Sequence, residues 1–330
     1  MEHWLLMYNP ASGKSTRIRS QLDGIIEIFQ SKDKFITTYR LDHTTPSELE
    51  AVLDSAHYDG IIACGGDGSV KYIGGLLAKK GLDIPLGVLP NGTCNDFARS
   101  LGLPTDLLKC AKVLAEGRSI KVDIGLINGT EYFVNEVAGG MLVDVSYNVD
   151  DALKQKIGSL AYYIAGMGEL TKIKTVPLKI ETEEGRTYEI DAYLFLALNG
   201  TDAAGMSGLI KEALMDDGKL DILVFKKSDL IGVTDTLLKL VTTADFQEKC
   251  VERIRTSACR ISCAEPLATT LDGEKGVSLP LDIRMLPKAI NVLFLKGFMI
   301  HVTRTNRNFD RRSCQRRGAA HYGRDLFSKF

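Results

Sequence analysis

The stretch Ile61-Ile62-Ala63-Cys64-Gly65-Gly66-Asp67-Gly68-Ser69 constrains the fold more than any other part of this chain. Four apolar residues run into three glycines and one aspartate, and Val70, Ile73, Leu76 and Leu77 then recur at helical spacing. A strand that becomes a helix across so short a turn is a βα unit. The same order repeats on either side of it. Trp4–Tyr8 reads as a strand, and Ile18, Leu22, Ile25, Ile26 and Phe29 mark one helix face. Phe35–Leu41 reads as a second strand, followed by a helix over Pro46–His57 with Thr44 or Thr45 as its cap. Leu86–Leu89 is a fourth strand, with a helix expected over Asn91–Leu101. Alternation with short links implies an open parallel sheet covered on both faces.

Past about residue 122 the texture changes. Strand-like pieces dominate: Tyr132–Val134, Leu178–Glu181, Tyr188–Leu198, Leu220–Phe225, Cys259–Ser262 and Ile290–Leu295. Glu183–Arg186 reads as a hairpin turn. A helix is expected over Lys154–Leu170. The expected organisation is an α/β domain over 1–121, a β-rich sandwich domain over 122–297 whose last strand returns to the first domain, and a tail over 298–330. At 330 residues and 45% hydrophobic content, the chain is long enough for two such cores.

Ligands of open α/β sheets gather at the carboxyl ends of the strands. Asn9-Pro10-Ala11-Ser12-Gly13, Gly65–Ser69 and Asn91-Gly92-Thr93 all fall there. Side chains at Gly65, Gly66 and Gly68 would keep a polyphosphate away from the backbone amides, and a helix N-terminus lies just behind them. Asp67 is odd for an anion site unless magnesium or its waters stand between carboxylate and phosphate; a tight turn that merely needs glycine is the plainer reading. Ser12-Gly13-Lys14-Ser15 ends like a P-loop, but that pattern requires glycine at position 8, where Tyr8 stands. Asp216–Gly218 and Asp272–Glu274 ("DDG" and "DGE") are turn signals as well as carboxylate sources.

With Gly65–Ser69 followed by Gly92-Thr93-Cys94-Asn95-Asp96-Phe97-Ala98-Arg99, the chain resembles the diacylglycerol kinase catalytic domain family, which includes bacterial lipid kinases and the sphingosine and ceramide kinases. "NPASGK" at the start, "KVDIG" at Lys121–Gly125, "MDDGKLDILV" at Met215–Val224 and "LDGE" at Leu271–Glu274 extend the resemblance over residues 3 to 297. It implies a nucleotide-binding first domain like that of NAD kinases and an ATP- and magnesium-dependent lipid kinase, with diacylglycerol as the expected acceptor. ATP phosphates would meet Gly65–Ser69, Asn9–Gly13 and Thr93. Asp67, Thr93 and Asp123 would join a magnesium–water network reaching Asp217, and Asp217 with the backbones of Leu214 and Lys219 would hold a structural magnesium. Glu274 matches the general base, supported by Asp272. Where bacterial members have Thr-hydrophobe-Asn-Glu, this chain has Ser69-Val70-Lys71-Tyr72. Lys71 is read as a solvent-facing helical lysine, the alternative being a cation near phosphate.

Other functions stay open at this point: an NAD kinase-like or other small-molecule kinase, a sphingoid lipid kinase, or a nucleotide-binding regulator without activity. A net charge of −1 shows no bias toward nucleic acid. Residues 301–330 hold seven Arg, one Lys and two Asp, a net +6 on a body of −7, and such a tail could meet anionic headgroups or be a passive extension. The resemblance implies a cytoplasmic enzyme, peripheral to the inner face of the membrane, that meets its lipid there, with a homodimer as the assembly to look for. The start of the chain does not read as a signal peptide. Seven scattered cysteines without a CxxC pair point to reduced thiols rather than disulfides or zinc.

Overall fold

The computed structural model describes residues 1–10, 15–41, 45–140, 175–203, 205–206, 208–210, 212–227 and 250–295. The helix expected over Lys154–Leu170, the tail, and Ala11–Lys14 lie outside these residues.

The first layer is the parallel sheet that the βα grammar requires. Its strands are β1 (Glu2–Tyr8), β2 (Lys34–Arg40), β3 (Gly60–Gly65) and β4 (Leu86–Pro90), lying in the order β4-β3-β1-β2. Helices α1 (Ser15–Gln30), α2 (Pro46–Asp54), α3 (Asp67–Lys80), α4 (Asp96–Ser100) and α5 (Leu107–Ala115) connect and cover it. Burial on both faces explains the unbroken apolar run of β3, every residue of which is buried. Thr45 caps α2 in a capping box with Glu48, after which Pro46 opens the helix.

The second layer is antiparallel. Strands β5 (Ser119–Ile127), β6 (Glu131–Phe133), β7 (Glu136–Gly140), β8 (Val176–Thr182), β9 (Thr187–Leu198), β10 (Leu220–Lys226), β11 (Val251–Thr256), β12 (Ala258–Cys263), β13 (Thr269–Leu271), β14 (Glu274–Lys275) and β15 (Leu281–Leu293) build it. Strand β9 shows the period-2 logic plainly. Phe195 and Ala197 enter one core with Val137, Ile222, Val224 and Ile254, while Leu194, Leu196 and Leu198 enter a second with Leu223, Phe225, Leu209 and Ile210. Strand β15 links the layers: Leu281–Arg284 pair with β12, Ile283–Leu286 and Ile290–Leu293 pair with β5, and Val292 pairs parallel with Leu86 of β4.

Three expectations change. The helix expected to reach His57 ends at Asp54, and the helix expected from Asn91 begins only at Asp96. Asn95 cannot join it because its backbone is left-handed, with φ of 53°. The strand expected at Ile290–Leu295 is the second half of β15, whose register shifts between Leu286 and Ile290 around Pro287 and the left-handed Lys288.

Phe195 is fully buried, and its ring lies so close to Gly139 that a Cβ there would stand 2.4 Å from it. Phe195→Ala should cost about 3–5 kcal/mol, a typical penalty for deleting a buried ring. Urea denaturation checks this, with a lowered midpoint at unchanged slope as the expected result.

Candidate active site

The carboxyl edge of the parallel sheet brings two glycine-bearing loops into contact. The Asn9 amide donates to the Cys64 carbonyl (3.0 Å) at the ends of β1 and β3, and the Asn91 amide donates to the Gly65 carbonyl (2.9 Å) at the ends of β3 and β4. A Cβ on Gly92 would stand 2.3 Å from the Gly66 Cα, so the loops meet backbone to backbone. Behind them α3 opens with Gly66 as its N-cap, a residue with no side chain to accept from the first amides of the turn. Thr93, next to Gly92, is exposed and Pro10 is buried.

Asp67 faces along the sheet edge to the next helix. Its carboxylate accepts the Asp96 and Phe97 amides (3.2 and 3.0 Å) and so caps the five-residue α4. The Asn95 side chain closes on its own loop through the Gly92 amide and carbonyl, both at 2.8 Å. Asn135 Nδ2 also donates to Asp67 (3.3 Å). Burial pushes the Asp67 carboxyl above its ordinary range, against the Phe97 amide, Asn135 and the nearby Arg99.

The β-sandwich brings its carboxylates from the other side. Asp272 and Gly273, with φ of 49° and 78°, form the two-residue turn joining β13 to β14. The buried Asp272 carboxylate accepts three backbone amides: Val134 on Oδ2 (2.8 Å), and Asn135 and Glu136 on Oδ1 (2.8 and 2.9 Å). Burial raises its pKa to about 7 against those three amides and the field of Lys71. Two residues on, Glu274 reaches the glycine turn. A Cβ at Gly68 would stand 2.0 Å from Glu274 Oε1, and Lys71 Nζ lies 2.6 Å from Glu274 Oε2. Lys71 is therefore not the solvent-facing lysine expected from its helix position: its side chain is 17% exposed and is drawn inward by the carboxylate.

Asp123 and Asp217 belong to the second layer. Asp123, fully buried in β5, accepts the Gly218 and Lys288 amides (2.6 and 2.7 Å), and burial raises its pKa to about 6. Asn199 ties this pair to the cleft: its Nδ2 donates to the Asp123 and Val134 carbonyls (3.0 and 2.9 Å), and its amide donates to the Asn135 carbonyl (2.7 Å). Asp67 and Asp123 are thus joined through Asn135 and Asn199. Neither of those residues, nor Asp96, Arg99 or Glu136, stood among the expected site residues. Polar Asn135-Glu136 inside the apolar run Tyr132–Ala138 was the available signal.

At Asp217, the residue expected to hold a structural magnesium, Oδ1 accepts the Lys219 amide (2.9 Å) and Oδ2 pairs with Arg255, so each carboxylate oxygen has a protein partner and keeps a further lone pair. Among the described residues no group of three or more His, Cys, Asp and Glu gathers as a metal site. Leu214 is half-buried just before Met215, whose carbonyl accepts the Asp123 amide (2.7 Å).

The amides of a glycine turn on one wall and a carboxylate on the other suit phosphoryl transfer to a hydroxyl. The class that fold and site define is the two-domain kinases. A diacylglycerol kinase catalytic domain model matches residues 3–127, and a YegS C-terminal NAD kinase beta sandwich-like domain model matches residues 135–294. A Staphylococcus aureus diacylglycerol kinase is 35% identical over 290 residues, covering 87% of this chain and 90% of that one. A crystal structure of a Bacillus anthracis protein assigned as a diacylglycerol kinase superposes with a TM-score of 0.78 at 27% identity, covering 90% of this chain and 97% of that one. A further diacylglycerol kinase crystal structure from Bacillus anthracis gives a TM-score of 0.71 at 25% identity, covering 90% and 98%. The chain belongs to the diacylglycerol kinase family and is a lipid kinase of that family.

Asp272→Ala would strand three buried backbone amides, each costing about 1–3 kcal/mol when unpaired. Partial solvation of the loosened turn reduces the total, so a loss of roughly 3 kcal/mol is expected. An unchanged urea midpoint would show that Asp272 carries no structural load.

Proposed function

We propose that this kinase transfers the γ-phosphate of magnesium-bound ATP to the free hydroxyl of diacylglycerol, giving phosphatidic acid and ADP. The observation that carries the reading is the placement of the Glu274 carboxylate against Gly68, inside the turn whose amides suit a polyphosphate. In this reading Gly65–Ser69, Asn9, Pro10 and Thr93, with Ala11–Gly13 beyond the described residues, line the triphosphate. Glu274 Oε accepts the hydroxyl proton as the lipid oxygen bonds to the γ-phosphorus and the bond to the bridging oxygen of ADP breaks. Asp67, held by the Asp96 and Phe97 amides, would meet the magnesium that arrives with ATP through its waters. Asp272 acts on the base through the turn. Asp123 orders Gly218 and Lys288 behind the cleft, and no step passes through a metal at Asp217.

The lipid is met at a bilayer surface by a peripheral enzyme at the inner face of the membrane. No helix among the described residues is long and apolar enough to cross a bilayer. The body of the chain is acidic, so attraction to anionic lipid falls to the tail or to a local basic patch, and the tail's cations are each worth up to about 1 kcal/mol near such a surface. Removing residues 301–330 should weaken binding to phosphatidylserine vesicles at low salt, measured by sedimentation; unchanged binding would make the tail a passenger.

The chemistry is tested with labelled ATP and magnesium against diacylglycerol in mixed micelles, sphingosine in mixed micelles, and NAD. Label is expected in phosphatidic acid; label in NAD phosphate, or in the sphingoid product alone, would overturn the acceptor assignment. Glu274→Gln keeps size and most hydrogen bonds but cannot take the proton. It should lower kcat by about 10²–10⁴-fold with little change in nucleotide Kd. A variant that keeps more than about half its kcat would remove Glu274 from the chemistry.

A further inference from the structure

Glu274 lies on a two-residue edge strand, and its side chain is 58% exposed. The Asp272 turn fixes where its Cα sits but not where its carboxylate points. A free glutamate side chain spreads over many rotamers, and ordering it costs up to about 2 kcal/mol. A general base is useful only when it is held in reach of the reacting hydroxyl. Lys71 removes that freedom: it rises from the first turns of α3, three residues past Gly68, and its ammonium meets Oε2 at 2.6 Å while Oε1 lies over Gly68. The two partners are 203 residues apart in sequence and come from different layers of the fold.

We propose that Lys71 is a positioning residue for Glu274, clamping its carboxylate over the glycine turn in the orientation that phosphoryl transfer requires. The inference rests on the assignment of Glu274 as the base. Lys71 acts through Glu274 and not on the nucleotide. Its geometry fits that role: the ammonium is spent on the carboxylate, and the residue that must be small for the pair to form is Gly68 itself.

A double-mutant cycle tests the proposal. Purified full-length wild type, Lys71→Met, Lys71→Arg, Glu274→Gln and the Lys71→Met/Glu274→Gln double variant are assayed for kcat on diacylglycerol micelles and for ATP Kd. Thermal melts establish that each is folded. Loss of a charge-assisted contact that is partly exposed should lower kcat about tenfold in Lys71→Met. Lys71→Arg, which keeps a cation at a single-point contact, should retain at least about half of wild-type kcat. In the Glu274→Gln background Lys71→Met should cost nothing further, and ATP Kd should stay within about twofold throughout. Equal losses in both backgrounds would overturn the proposal, because Lys71 would then act without Glu274. A rise in ATP Kd that persists with glutamine at 274 would do the same and assign Lys71 to phosphate, as would full kcat in Lys71→Met. A highly active Glu274→Gln enzyme overturns the base assignment instead, so the two failures are distinct.

Discussion

Three backbone amides, from Val134, Asn135 and Glu136, converge on one buried carboxylate, and most of the site depends on that convergence. A lone charge so deeply buried is costly, and so are three unpaired amides; together they satisfy one another. The consequence is geometric. The β13–β14 turn cannot shift without stranding those amides, so Glu274 keeps a fixed origin over the glycine turn. The same peptide segment carries Asn135, whose side chain reaches Asp67 and whose carbonyl receives Asn199. One carboxylate thus sets the relation between the sandwich and the mouth of the parallel sheet.

A second tie crosses the cleft at α4. The Asp96 carboxylate accepts the Gly205 amide (2.9 Å) and pairs with Arg99, and Arg99 also lies 3.6 Å from Asp202. Asp202 in turn accepts Thr201 Oγ1 and the Gly208 amide, each at 2.9 Å. The sequence Asn95-Asp96-Phe97-Ala98-Arg99 therefore does two jobs. Its amide end is capped by Asp67 from the glycine turn, and its side chains hold a loop of the second layer. Phe97 between them is fully buried in the core beneath the parallel sheet. Chemistry and packing share the same five residues, which explains how so short a helix is held in place.

The βα units were legible because hydrophobic period and turn residues agree there: β3, the glycines and the α3 face fall where the sequence puts them. The Asp272–Gly273 turn was legible for a similar reason, since both positions require positive φ. The pairing of Lys71 with Glu274 was not, because helix position alone predicts exposure and the partner lies in another layer. Strand β7 was hidden by Gly139 and Gly140, poor strand formers that are kept small by the close approach of Phe195 and of the Tyr193 and Leu194 backbone. The first half of β15 was hidden by Pro287 and Lys288, which break the alternation at the bulge. Asn135 and Asn199 were missed because a buried side-chain amide that donates to a distant carboxylate or to backbone carbonyls has no local signature; only the assembled layers give it partners.

The central claim is that the amides of the glycine turn and the carboxylate of Glu274 face each other across one reacting phosphate. The most direct measurement is a crystal structure of the protein with magnesium and a non-hydrolysable ATP analogue. The phosphates should lie along the backbone of Gly66–Ser69 and Gly92–Thr93, with the terminal phosphorus on the side from which Glu274 approaches. An analogue bound with its phosphates elsewhere, leaving the Gly66–Ser69 turn to solvent, would contradict the account.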